Sequence, residues 1–331
     1  MLTMPDLLGL FPKRPLGVVS INWKPIRRSY GGMNFFVQQL QDGLVRRGYK
    51  VRNTLKSDVN VIFIAHPWMT HQYPYHFDDV VRFKRDFPNV KVILRINECD
   101  ARKSTSHMDG WLEQWQSVSD HTVFISEWLR DYHAARWFDK SEEHCCIVNG
   151  ADSRFFHPIG SASLNKDKCF RVVTHHWANA YNKGFHDYVE IDNSIFRGEL
   201  KGVKLVVIGR WPDDIKWKTA ELHGPRVEHK LAKILRSCHA YVTGSVWEPG
   251  GMHFIEGVQC GLPVVYHQDG GGIPEVASRY GLEYSIDVCG AIEQMRREYD
   301  SHRRKVLSNP PSGEEMTLRF INAIQKVVAC G

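Results

Sequence analysis

Residues 245–276 read SVWEPGGMHFIEGVQCGLPVVYHQDGGGIPEV. An apolar, β-branched run ends near Thr243, the turn Glu248-Pro249-Gly250-Gly251 follows, and Met252 to Gln259 has the spacing of a helix. Pro263 to Tyr266 then reads as another strand, closed by the second glycine turn Gly270-Gly271-Gly272. Strand, turn, helix, strand is the βαβ pattern of a parallel sheet, in which ligands sit beyond the carboxyl ends of the strands. Proline is expected at the first helical position. The side-chain-free glycines leave the N–H groups of Gly250, Gly251 and Met252 open to an anion, which the helix dipole also favours.

Two acids flank this turn. Glu248 and Glu256 are eight positions apart, about 80° round a helix, and so lie near one face. Alone they read either as solvated surface acids or as ligands of a substrate. Beside a phosphate they would repel it unless they reached past it to hydroxyl groups, and sugar hydroxyls are the obvious use.

The same alternation extends in both directions. Before residue 152, strands are expected at Leu16–Ile21, Val59–Ala65, Val90–Ile96, His121–Ile125 and Cys145–Val148, with helices at Asn34–Arg47 and Ser126–Arg136. Asp152 to Lys168 is rich in serine, glycine and lysine without periodicity, as a domain connector is. Beyond it come strands at Phe170–Thr174, Val203–Ile208 and Ala240–Val242 and helices at Gly184–Asp192 and Glu228–Ser237. The fold class expected is α/β, with two facing Rossmann-like doubly wound domains, 1–155 and 165–310, and a cleft between them. A last helix at 313–328, set off by Asn309-Pro310-Pro311, is expected to pack back on the first domain.

The composition fits this reading. The 331 residues suffice for two cores, and 43% hydrophobic with 24% charged residues excludes disordered, collagenous and coiled-coil classes. No apolar run approaches the ~18 residues of a membrane span. The opening residues place Pro5 and Asp6 before, and Lys13 and Arg14 after, the apolar run, the reverse of a secretory leader, so they read as a tail packed on a domain. Eight scattered cysteines without a C-x-x-C pair point to free thiols and a cytoplasmic setting. The net charge of +6 divides into +4 before residue 160 and +2 after it. Nucleic-acid binders concentrate positive charge on one face, so this even spread favours small phosphorylated ligands.

Taken in order, these elements resemble the retaining GT-B glycosyltransferases of family 4. The likeness rests on Glu248-x7-Glu256, Gly31-Gly32 before a helix, Arg47-Gly48-Tyr49-Lys50-Val51, Ile125-Ser126-Glu127, Ile147-Val148-Asn149-Gly150-Ala151-Asp152 with Phe155, and Lys183-Gly184. It implies transfer of a sugar from a nucleotide-diphosphate sugar to a glycan, lipid-linked or small-molecule acceptor. Glu248 would contact the donor sugar and Glu256 the ribose. Lys183 and the amides of Gly250, Gly251 and Met252 would take the diphosphate charge, with Gly31 and Gly32 closing from the first domain. No cofactor and no metal are expected, and no D-x-D pair occurs. Two positions depart from the pattern: Ala178 stands where the family usually has arginine, with Arg210 as a candidate replacement, and Asn97 stands where a histidine often touches the donor sugar.

Residues 66–77, HPWMTHQYPYHF, follow a strand of the first domain. His66, Trp68 and Tyr73 are candidates for stacking on an acceptor sugar, the alternative being packing within their own domain. Lys24, Arg27 and Arg28 read either as a solvated loop or as a contact for an acidic acceptor or a lipid phosphate at a membrane surface. The absence of G-x-G-x-x-G, Gly-Lys, G-x-S-x-G and H-E-x-x-H removes dinucleotide oxidoreductases, P-loop enzymes, α/β-hydrolases and zincins. Two other readings stay open: a glycosyltransferase acting on modified DNA bases, and a non-catalytic nucleotide-sugar-binding protein.

Overall fold

The computed structural model describes residues 15–26, 32–68, 73–162 and 169–329. Gly31, Arg27, Arg28, the opening tail and residues 163–168 of the connector lie outside them. The first sheet unit comprises β1 (Val18–Ile21), α1 (Gly32–Arg46), β2 (Lys50–Arg52), β3 (Val61–Ile64), α2 (Phe77–Asp86), β4 (Lys91–Ile96), α3 (Asp100–Lys103), α4 (Met108–Gln116), β5 (His121–Phe124), α5 (Glu127–Ala134) and β6 (His144–Cys146). Its strands are all parallel in the order β2-β1-β3-β4-β5-β6.

The second unit runs through β7 (Phe170–His176), a 3-10 turn at Tyr181–Lys183, α6 (Phe185–Phe196), β8 (Val203–Gly209), β9 (Glu221–His223), α7 (Glu228–Arg236), β10 (Ala240–Thr243) and α8 (Met252–Gln259). It continues with β11 (Val264–His267), α9 (Ile273–Ala277), β12 (Gly281–Tyr284), α10 (Val288–Arg297) and α11 (Tyr299–Ser308). These strands are also parallel, ordered β12-β11-β10-β7-β8-β9. The last described element is α12 (Gly313–Ala329).

Helices cover both faces of each sheet, which is why the central strands are near-continuous runs such as VIFI and VKLVVIG rather than alternating ones. In the first sheet, Leu112, Trp115 and Leu129 pack on one face and Phe36, Leu40 and Phe63 on the other. In the second, Leu231 and Phe254 fill one side and Tyr188, Ile191 and Met295 the other. α12 leaves the second unit and joins the core of the first. Phe320 meets the rings of Phe36 and Phe63 edge-on, with centroids 4.9 and 5.9 Å away.

Element ends differ from the sequence reading by a few residues. The strand expected at Cys145–Val148 is His144–Cys146, and Ile147 to Gly150 leave the sheet toward the cleft. Seven cysteines are free thiols, and Cys330 lies outside the described residues. No helix among the described residues is long and apolar enough to cross a membrane.

Candidate active site

The carboxyl ends of the two sheets face each other across a cleft of about 620 Å³. Its floor is the turn before α8. Trp247 adopts φ of 51°, in the left-handed region, and the chain then reverses through Glu248 and Pro249. The second glycine turn supports it from behind: Gly272 N–H donates to the Glu248 carbonyl at 2.9 Å, and a Cβ on Gly271 would lie 2.7 Å from that same oxygen. The sequence reading placed Pro249 inside the helix. Here α8 starts at Met252 with the extended Gly251 as its N-cap, so Gly250 and Gly251 take up the turn and Pro249 stays outside.

Glu248 is held by two cations. Lys183 Nζ lies 2.6 Å, and Arg102 Nε 3.0 Å, from the same carboxylate oxygen, and all three side chains are about nine-tenths buried. Burial alone would push the Glu248 carboxyl up, but the charges of Lys183 and Arg102 hold it well below the usual carboxylate range. Burial lowers the Lys183 ammonium below its ordinary value, with Glu248 opposing that shift. Lys183 reaches this place because Gly184 (φ 89°) brings two chain segments together. A Cβ there would lie 2.3 Å from the Gly244 carbonyl carbon.

Glu256, one turn into α8, also lines the cleft, and His175 Nε2 lies 2.8 Å from its carboxylate. The Tyr241 hydroxyl orients that imidazole at 3.1 Å from Nδ1. Its neighbour His176 is buried against Thr174 and Tyr188. Burial, reinforced by nearby positive charge, keeps His176 and His253 well below the ordinary histidine range, so both are neutral at pH 7. Gly251 has no room for a side chain, because a Cβ would lie 2.5 Å from the His253 ring.

The first domain supplies the opposite wall. Gly32 lines the cleft so closely against α8 that a Cβ would approach Met252 Cγ to 3.0 Å. His66 stacks with Trp68 and Tyr73, with centroids 5.3 and 6.0 Å away, and all three rings border the cleft. Asn97 follows β4, and its Oδ1 is buried without a hydrogen-bond partner among the described residues. Arg95, two residues earlier, is 3% exposed, lies 3.9 Å over the Phe36 ring, and has Nε and Nη1 unpaired among the described residues. Burial lowers its pKa to about 9. Asn149 joins the walls, accepting from Arg95 at 3.2 Å and donating to the Gly250 carbonyl at 2.7 Å.

Of the residues picked from sequence, Glu248, Lys183, Asn97, Glu256, Gly250, Met252, Gly32, Trp68, His66 and Tyr73 all border this one cleft. Gly251 caps α8 beneath it. Arg210 does not border it: its guanidinium lies 5.3 Å over the ring of Trp177, which does. Arg102, Arg95 and His175 are among the further polar residues that line it. Arg102 carries no local signal in the sequence, since its carboxylate partner is 146 residues away.

Residues 179–326 match the sequence model described as Glycosyl transferases group 1. This span contains Lys183, Glu248, Glu256 and the whole α8 turn. Over that span the chain is similar to group 1 glycosyltransferases, and it is a glycosyltransferase. Its fold is GT-B, as the solved structures it resembles bear out. A sucrose-phosphate synthase from Thermosynechococcus elongatus matches with a TM-score of 0.68 and 16% identity over 96% of this chain and 100% of that one. The Anabaena protein HepE in complex with UDP-glucose matches with a TM-score of 0.67 and 11% identity over 94% and 99%. AviGT4, a glycosyltransferase involved in avilamycin A biosynthesis, matches with a TM-score of 0.57 and 16% identity over 95% and 98%. No curated protein matches the chain by sequence. This glycosyltransferase has no group of three or more metal-ligating side chains positioned together among the described residues.

Proposed function

We propose that the protein is a retaining glycosyltransferase of the family 4 type, working in the cytoplasm without a metal. It moves a sugar from a nucleoside-diphosphate sugar to a carbohydrate or lipid-linked acceptor. The observation that carries this reading is the meeting of Lys183, Glu248 and the α8 turn on one floor, with Glu256 a further turn along. The diphosphate lies against Lys183 and the amides at the start of α8, where an anion gains from unpaired N–H groups and the helix dipole. Glu248 reaches beyond it to the sugar and Glu256 to the ribose. HepE, whose structures hold UDP, UDP-glucose, or UDP and glucose, makes uridine diphosphate the first donor base to try.

In the reaction the bond from C1 to the phosphate oxygen breaks and leaves its electron pair on that oxygen, whose charge grows by one. The acceptor hydroxyl oxygen forms the new bond to C1 on the same face, and its proton passes to the departing phosphate. Fixed cations and amides in a largely buried site stabilise that growing charge without reorganising. The aromatic wall of His66, Trp68 and Tyr73 suits the C–H face of an acceptor sugar.

The test incubates the protein with UDP-, GDP- and ADP-sugars and follows melting and product by NMR. A donor at ~100 times its dissociation constant adds about 2.7 kcal/mol. The reading expects one donor class to raise the melting point and an α-linked donor to give an α-linked product. Inversion at C1 would refute retention, and no response to any donor would refute the donor assignment.

A further inference from the structure

The charges around Glu248 do not balance. Lys183 and Arg102 share its one carboxylate, while Glu98 is taken by Lys103 at 2.9 Å and Glu256, further along α8, pairs with His175. Around Glu248 and Glu98, three cations thus face two carboxylates, and Arg95 adds a fourth with no acid in contact. The neighbouring His176 and His253 do not alter this sum. A buried excess of positive charge is costly until an anion enters.

Arg102 is the unusual member because it comes from the other domain. It sits on α3, which is fixed to its own domain by the Asp100 carboxylate accepting from Thr105 Oγ1 at 2.5 Å and from the Met108 N–H at 2.9 Å. From there both ends of Arg102 cross the cleft. Its carbonyl accepts from Asn182 Nδ2 at 3.0 Å, and its Nε donates to Glu248. Nη1 has only a 3.5 Å contact with Asn182 Oδ1, and Nη2 makes no hydrogen bond to the described residues. The fork therefore keeps donors to spare beside Lys183, in the geometry that binds two phosphate oxygens at once.

We propose that Arg102 is the second cation of the diphosphate site, lent by the first domain, so that the charge-stabilising pair of Lys183 and Arg102 is complete only when the two domains meet. This rests on the donor reading above. It follows that the leaving diphosphate is gripped from both domains and that cleft opening after transfer withdraws half of the positive charge, releasing the product. Ala178, which also borders the cleft from the second domain, leaves space where a cation from the same domain as Lys183 could stand in.

The experiment measures binding of UDP, GDP and ADP to the full chain by calorimetry and then compares the best diphosphate with its monophosphate. In Arg102→Ala the diphosphate is expected to bind at least 10-fold more weakly while the monophosphate changes less than 2-fold. Arg102→Lys should fall between, and Ala178→Arg added to Arg102→Ala should recover part of the loss. Equal losses for mono- and diphosphate in both Arg102 variants, without recovery from Ala178→Arg, would make Arg102 a purely architectural bridge and overturn the proposal. Tight diphosphate binding that Arg102→Ala leaves intact overturns this proposal alone. Failure of the unmodified chain to bind any diphosphate overturns the donor reading, and this proposal with it.

Discussion

His175 and Glu256 form a close pair, 2.8 Å apart, at the point where β7 ends and α8 begins its second turn. The imidazole contacts the acid to which the proposed function assigns the ribose. If Glu256 accepts from ribose hydroxyls, the protein distinguishes a nucleoside diphosphate from its 2′-deoxy analogue, and Glu256→Ala abolishes the distinction. A hydrogen bond to a charged group contributes about 1.5–3 kcal/mol, so the preference should be roughly 10- to 100-fold. Competition binding with the two nucleotides measures it. Equal affinities in the unmodified protein would remove Glu256 from the ribose.

Glu248→Ala strands Lys183 and Arg102 together in a nearly dry site. Removing one partner of a buried ion pair typically costs about 3–5 kcal/mol, and Glu248→Gln should cost less because the amide oxygen still accepts. Denaturant unfolding reads the difference, and equal stability of all three proteins would contradict the cluster. The pH dependence follows from the same contacts. The folded carboxyl titrates below the unfolded value of about 4.3, so its stabilisation is present above that pH and is lost as pH falls through the lower folded value. Glu248 therefore contributes no step to an activity profile recorded from pH 5 to 8. A step in that range that disappears in Glu248→Gln would contradict this.

How far the sequence alone reaches is clear from single elements. β8 and β11 are readable because buried parallel strands must be continuous apolar runs, and α8 because glycines mark its start. β9, with Glu221 and His223, and β12, beginning at Gly281, are edge strands paired on one side only, and their short mixed sequences carry no period. In the site, Glu248 and Glu256 stand eight residues apart around one turn and can be read directly, whereas Lys183, 65 residues from Glu248, is legible only through the family resemblance. Arg102 lies on a four-residue helix, and its role arises only when two domains approach. Arg95 looks like an interruption of an apolar strand until the structure places its guanidinium on Phe36.

Glu275 joins the domains at a second place. Its carboxylate accepts from the backbone N–H groups of Glu127 (2.9 Å) and Trp128, the first two of α5, while the Ser126 hydroxyl accepts from Leu129. A side chain of the second domain thus completes the cap of a first-domain helix, where negative charge is also favoured by the dipole. Glu275→Ala should cost about 1–2 kcal/mol of interdomain contact. It should raise the radius of gyration in solution scattering and speed proteolysis of the connector at residues 152–168. Unchanged scattering and cleavage would mean that Arg102 and Asn149 suffice to keep the domains together.

α12 is encoded last, after both domains, yet it completes the first. Phe320 is fully buried between Phe36 of α1 and Phe63 of β3, and a Cβ on Gly43 would lie 2.2 Å from Thr317 Cγ2, so the two helices touch backbone to side chain. The approach to α12 is equally tight: a Cβ on Gly150 would lie 2.1 Å from the Ser312 carbonyl oxygen. Truncating such a phenyl ring in a core typically costs about 3–5 kcal/mol, because the cavity closes only in part. Phe320→Ala should therefore destabilise the first domain although the residue follows the second in the chain. Hydrogen exchange should show β1, β3 and β4 losing protection while β7, β8 and β10 keep theirs. Gly43→Val should produce the same pattern by pushing α12 outward. Loss of protection in the second sheet instead would mean that α12 draws its stability from that domain, and would redraw the boundary between the two.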